Sequence, residues 1–276
     1  MDNAYIILII IVALITVVVI YAINRSSSKD EIRKKLMESE FPENWKEVLK
    51  EDFPLYNKMP EQIRDKLHSY INVFMEEKSF EACGSLDELT EEMCVTIAGQ
   101  ACLLLVNGRC GVYDKLTTIL VYEDMYSAGT QQNQDGTVGK GGTRLGESWE
   151  KGTVILSWKH SLRGPAIAND GQNLVIHEFA HQLDQWDGVA DGAPLRAFVN
   201  EHKDWSKNFQ EAFEKHAKRL KAGRKLVIDS YGATNPAEFF AVSTETFFEK
   251  PKKLLKRYPA IYNELKSFYM LDPLEW

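Results

Sequence analysis

The chain has 276 residues, 44% of them hydrophobic, and a formal net charge of −7, which suits one large or two small globular domains. The pI is about 5.5, and no long basic run appears beyond a short N-terminal flank, so no nucleic-acid partner is expected. Cys83, Cys94, Cys102 and Cys110 form no CxxC pair, which argues against a disulfide framework or a Cys₄ metal site.

Residues 5–23 carry no charge and contain runs of Ile, Val and Leu. As a helix they would span about 28 Å, near the hydrocarbon thickness of a bilayer. The start Met1-Asp2-Asn3-Ala4 and the stretch Tyr21-Ala22-Ile23-Asn24-Arg25 do not suit a cleaved signal peptide. A transmembrane anchor at 5–23, after a short extracytoplasmic N-terminus at 1–4, is the expectation. Arg25, Lys29, Arg33, Lys34 and Lys35 follow the span, and no Lys or Arg precedes it. Positive flanks stay inside, which predicts a single-pass membrane protein whose folded domain faces the cytoplasm. Residues 24–35 read as a basic, polar linker and 36–276 as the folded domain.

Residues 29–110 read as mainly helical. Phe41-Pro42 opens a segment that ends near Phe53-Pro54. After Pro60, Ile63, Leu67, Tyr70, Ile71 and Phe74 recur at helical spacing, and Leu89 to Val106 is a further helix. Thr117–Tyr122 and Thr153–Trp158 read as strands. Between them, 129–146 is rich in Gly, Gln, Asn and Thr and reads as a loop or hairpin connection without phosphate-loop spacing. The second strand lies just upstream of the metal-binding candidate, where a sheet edge can pair with an extended peptide. Residues 195–222 read as a charged, solvated helix.

The chemistry is concentrated at 177–181, His-Glu-Phe-Ala-His. Histidines four apart on a helix share one face, so both imidazoles can reach one metal ion, usually Zn²⁺. Glu178 follows the first histidine and is placed to act as general base on water activated by the metal. Leu174-Val175-Ile176 leads into the helix and Asp187-Gly188 offers a stop. A third protein ligand is needed. Glu201, twenty residues after His181, has a common spacing but very polar surroundings. Glu238 is the stronger candidate: Asn235 suits an N-cap, Pro236 the first helical position, and Phe239-Phe240-Ala241 make the helix apolar. The rival role for Glu238 is a capping box with Asn235.

The string His177-Glu178-Phe179-Ala180-His181-Gln182-Leu183-Asp184 resembles the metal helix of the Mlc titration factor A family of zinc peptidases. Asn235-Pro236-Ala237-Glu238-Phe239-Phe240-Ala241-Val242, followed by Glu245 and Phe247-Phe248-Glu249-Lys250-Pro251, is similar in the same way. Phe41-Pro42, Leu156-Ser157-Trp158, Gly164, Tyr258-Pro259 and Asp272-Pro273 fit the same pattern, so the resemblance covers roughly residues 36–275. It implies a zincin-like α+β metallopeptidase domain with a mainly helical N-terminal part, akin to the catalytic domain of anthrax lethal factor. It implies one Zn²⁺ per chain on His177, His181 and Glu238, with Tyr231 assisting catalysis and aminopeptidase-type activity. The family's namesake binds a sugar-responsive transcription repressor. Asp184, on the helical face of His177 and His181, is a candidate second carboxylate that orients a histidine, and Glu245 is a weaker one.

The sequence therefore predicts a membrane-anchored zinc peptidase with a peptide or protein substrate, in contact with the lipid bilayer through residues 5–23. The alternative is a tethered regulatory protein that sequesters a transcription regulator around a structural zinc.

Overall fold

The computed structural model describes residues 11–16, 28–106, 111–124, 126–127, 131–132, 138–139, 143–144, 146–149, 152–166, 171–194 and 204–276. The chain divides into two compact units, residues 1–40 and 41–276.

In the first unit, residues 11–16 are helical and a helix α1 runs over 28–37. The expectation of a single-pass membrane protein, anchored in the bilayer by 5–23 with a cytoplasm-facing domain, is corrected here. Among the described residues, no helix is long and apolar enough to cross a membrane. The rest of that segment, 5–10 and 17–23, lies outside the described residues.

The second unit is α+β, mostly helical with one small sheet. Helices α2 (Glu43–Asp52), α3 (Pro54–Lys58) and α4 (Glu61–Glu77) come first. Prolines punctuate them, since Pro at a helix start loses no intrahelical hydrogen bond. Pro54 opens α3 and Pro60 immediately precedes α4. Leu67, Ile71 and Phe74 bury the inner face of α4, at the spacing the sequence predicts. Strand β1 (Ser79–Cys83) leads to α5 (Glu91–Leu103) and then to β2 (Thr118–Tyr122), which lies parallel to β1. Parallel strands need such a crossover. Thr90 caps α5 by accepting the Met93 N–H at 3.3 Å. From Met93 to Leu103 every residue is buried, as expected of a helix that is apolar on all sides.

The segment predicted as a loop or hairpin, 129–146, contributes to two short antiparallel ladders. Strand β3 (Tyr126–Ser127) pairs with β6 (Thr143–Arg144), and β4 (Gln131–Gln132) pairs with β5 (Val138–Gly139). Strands β7 (Gly146–Trp149) and β8 (Thr153–Ser157) complete a four-stranded sheet of order β1-β2-β8-β7. Strand β8 is parallel to β2, with Val154 opposite Ile119, and antiparallel to β7, with Val154 opposite Ser148. The strand upstream of the His177–His181 segment is therefore internal rather than an edge. The sheet's last strand on that side is β7, because a short connection folds it back as a hairpin on β8.

The remaining elements are α6 (Trp158–Ala166), α7 (Leu174–Asp184), α8 (Trp205–Lys221), α9 (Pro236–Glu249), α10 (Pro251–Arg257) and α11 (Pro259–Tyr269). A 3₁₀ turn at Ser230–Ala233 precedes α9. The predicted helix at 195–222 appears as α8, and residues 195–203 lie outside the described residues.

Two aromatic clusters seat the functional helices. Phe179 of α7 packs on Tyr113 at 4.9 Å and Phe74 at 5.8 Å between ring centroids. Phe239 and Phe240 of α9 meet Phe209 and Trp205 of α8 at 6.1 and 5.9 Å. Each buried ring is worth several kcal/mol; a Phe→Ala change at such a site costs about 3–5 kcal/mol.

Candidate metal centre

Helix α7 begins at a buried cap. The Asn173 side chain accepts the Ile176 N–H at 2.9 Å, and the Asn173 carbonyl accepts the His177 N–H at 2.9 Å. Phe179 then anchors one face in the core, which turns His177 and His181 to the other. Their rings stand 4.9 Å apart at 79°.

Helix α9 brings the carboxylate. Asn235 caps it by accepting the Glu238 N–H at 2.9 Å, and Pro236 occupies the first position. Glu238 thus sits one turn into the helix. Its carboxylate faces the imidazoles: Oε2 lies 3.1 Å from His177 Nε2 and 3.3 Å from His181 Nε2. Ligand atoms of His177, His181 and Glu238 all lie within 4.8 Å of one another. The rival candidate, Glu201, lies outside the described residues.

Glu245, two turns further along α9, accepts from His177 Nδ1 at 2.7 Å through Oε1 and from the Asn173 N–H at 2.5 Å through Oε2. Glu238 lies beside His181 while Glu245 reaches Asn173, so α7 and α9 run antiparallel. A carboxylate only accepts, so Nδ1 carries the proton. That holds the ring with Nε2 facing Glu238. Two imidazole Nε2 atoms and a carboxylate oxygen converge on one point. A carboxylate so placed needs positive charge beside it, from a proton or from a metal ion.

A proton on His177 meets that need in the metal-free chain. Burial works against a charged His177, but hydrogen bonds to Glu238 and Glu245 overcome it and hold its pKa well above the ordinary histidine value. Burial likewise pushes Glu238 up, but bonding to His177 and His181 and their charge pull it down to about 2. A divalent metal ion that takes the place of the proton meets two imidazoles and a carboxylate, a donor set that suits it.

The other candidates fall around this triangle. Glu178 is buried at 5% exposure. Tyr231 sits in the 3₁₀ turn, 54% exposed, with its N–H donating to Asp229 Oδ1 at 2.9 Å. Its hydroxyl donates to Glu238 Oε1 at 3.5 Å, and its ring centroid lies 6.0 Å from that of His177. Asp184 is fully buried, and burial lifts its carboxyl to about 6. Its Oδ2 accepts the Gly192 N–H at 2.9 Å, and Oδ1 has no hydrogen-bond partner among the described residues. Of the two acids offered as orienting a histidine, the one that touches a ring is therefore Glu245, which the sequence ranked below Asp184.

Glu245→Gln leaves an amide that can serve one of the two donors while opposing the other. Metal affinity should fall about 10- to 100-fold. The metal-free chain should lose about 1–3 kcal/mol from an unsatisfied buried donor. Chelator competition and denaturant unfolding measure the two effects; unchanged affinity would leave Glu245 a purely structural residue.

A family model for the glucose-regulated metallo-peptidase M90 family matches residues 27–270. An uncharacterized protein of Synechocystis sp. is 38% identical over 244 residues, covering 87% of this chain and 88% of the relative. Mlc titration factor A of Serratia proteamaculans is 30% identical over 235 residues, covering 83% and 87%. Mlc titration factor A of Yersinia pestis is 30% identical over 242 residues, covering 86% and 87%. With nearly its whole folded length matched, the chain belongs to the glucose-regulated metallo-peptidase M90 family.

Proposed function

We propose that this chain is a zinc-dependent peptidase of aminopeptidase type, with its peptidase domain at 36–276. The observation that carries the reading is the convergence of His177 Nε2, His181 Nε2 and Glu238 Oε2. Zinc held by these three residues would polarise the scissile carbonyl and make water acidic enough to react near neutral pH. Glu178 takes the proton from the attacking water and returns it to the leaving amine. Its burial keeps that carboxylate out of bulk solvent. Tyr231, half-exposed beside Glu238, donates its hydroxyl hydrogen bond to the oxyanion as charge develops there. Glu245 keeps the His177 ring in register. Strand β7 offers a sheet edge to an extended substrate backbone.

A second reading rests on the name shared by two of the relatives, Mlc titration factor A. It assigns this chain a regulatory protein partner, with zinc mainly structural. Hydrolysis of a peptide library by the zinc-loaded chain decides between the two. Cleavage that a chelator abolishes and zinc restores supports the peptidase. Cleavage of free but not N-acetylated termini supports the aminopeptidase type. A zinc-loaded chain without hydrolysis favours the binding role.

Tyr231→Phe removes only the hydroxyl. The chemical step should slow by roughly 10²-fold or more with zinc content unchanged. Single-turnover rates measure this, and an unchanged rate would return Tyr231 to packing.

A further inference from the structure

The loop that follows α7 reaches the start of α9 at a place that supplies no ligand. Gly192 is buried there. Its N–H donates to Asp184 Oδ2 at 2.9 Å, and its carbonyl accepts the indole N–H of Trp205 at 3.0 Å. Asp184 is fully buried and lies three residues after His181; Trp205 opens α8 and is also buried. The third contact is with the α9 backbone. A Cβ on Gly192 would lie 2.5 Å from the Pro236 carbonyl oxygen and 2.8 Å from its carbon. The φ of Gly192 is +76°, where a side chain is also strained.

Pro236 is the first residue of α9 and Glu238 the third. A continuous set of links therefore joins two donors of the metal triangle. His181 connects to Asp184 within α7, Asp184 to Gly192, Gly192 to Pro236, and Pro236 to Glu238 within α9. Each helical segment is rigid over these few residues. The adjustable step between His181 and Glu238 is the thickness of the chain at residue 192.

We infer that Gly192 is a positioning residue for the metal centre, whose missing side chain lets α9 start close enough to α7 for Glu238 to join His177 and His181. The Asp184 carboxylate and the Trp205 indole hold the glycine in that seat. The inference rests on the metal-binding reading above. The far contact between the helices is held by Glu245, so displacing the α9 start tilts the helix about that point and opens the Glu238 end. Relieving a 2.5 Å contact to an ordinary 3.4 Å requires a shift of about 0.9 Å. That is several times the roughly 0.2 Å within which metal–ligand distances are held.

The test uses the full chain and zinc, with affinity read by chelator competition and folding by circular dichroism and thermal unfolding. The unaltered chain should bind one zinc; failure to bind would remove the metal reading itself, and this inference with it. Gly192→Ala should fold and bind zinc at least tenfold more weakly. The control is Gly223→Ala, at φ +61° with nothing within 4 Å of the added Cβ. It should lower thermal stability without changing zinc affinity. A folded Gly192→Ala that binds zinc like the unaltered chain overturns the inference, and so does equal weakening by both glycine variants. If Gly192→Ala does not fold, Trp205→Phe decides. It deletes the bond to the Gly192 carbonyl while a ring remains to stack on Phe209, now 4.2 Å away. Weaker zinc binding by several-fold supports the seat; unchanged binding overturns it.

Discussion

Glu178→Gln should keep the metal and lose the reaction. The amide has the shape of the carboxylate but cannot accept the proton of the attacking water. Glu178 is buried beside His177 and is not among the three converging donors, so zinc content should stay near one per chain. Hydrolysis should fall by about 10²- to 10⁴-fold, the scale of a lost general base. Metal analysis and peptide hydrolysis on the same sample test both halves together. Retained hydrolysis would take Glu178 out of the mechanism, while lost zinc would make it part of the binding site instead.

Glu238→Gln should do the reverse. The Asn235 side chain accepts the Glu238 backbone N–H, which glutamine also has, so the start of α9 should persist. What changes is the group facing His177 and His181. A neutral amide is a poorer ligand than a carboxylate, and zinc affinity should fall by about 10²-fold or more, beyond what outer partners usually contribute. Helical circular dichroism should remain unchanged. If Glu238 served only as the acid of a capping box, glutamine would replace it silently. Unaltered zinc affinity would therefore return Glu238 to that role. Zinc loss in Glu201→Gln would move the third ligand to Glu201.

The order of these effects follows from which interactions are local in the chain. The His177–His181 pair needs only the helical period and a cap, and both are written within twelve residues. Glu238 was legible for the same reason: Asn235, Pro236 and the aromatic run after it specify a helix start wherever that helix goes. Helix α5 was readable from its largely apolar stretch, α9 from its start signal and Phe239-Phe240-Ala241, and β2 and β8 from short runs rich in β-branched residues.

The tertiary structure decided what depends on how those elements dock. Asp184 and Glu245 are both acids at plausible helical offsets from a ligand. Only the antiparallel packing of α7 on α9, across 68 residues of chain, puts Glu245 on His177 and turns Asp184 to Gly192. Strand order is of the same kind: β8 carries the stronger strand signal, yet β7 forms the last strand of the sheet by folding back on it. Hydropathy reports only the preference of a segment such as 5–23 for an apolar medium; among the described residues no helix is long and apolar enough to cross a membrane, and most of that run lies outside them. For Gly192 the sequence holds no signal beyond the residue itself. A glycine is informative only through what its missing side chain lets approach, and that neighbour, Pro236, lies 44 residues away.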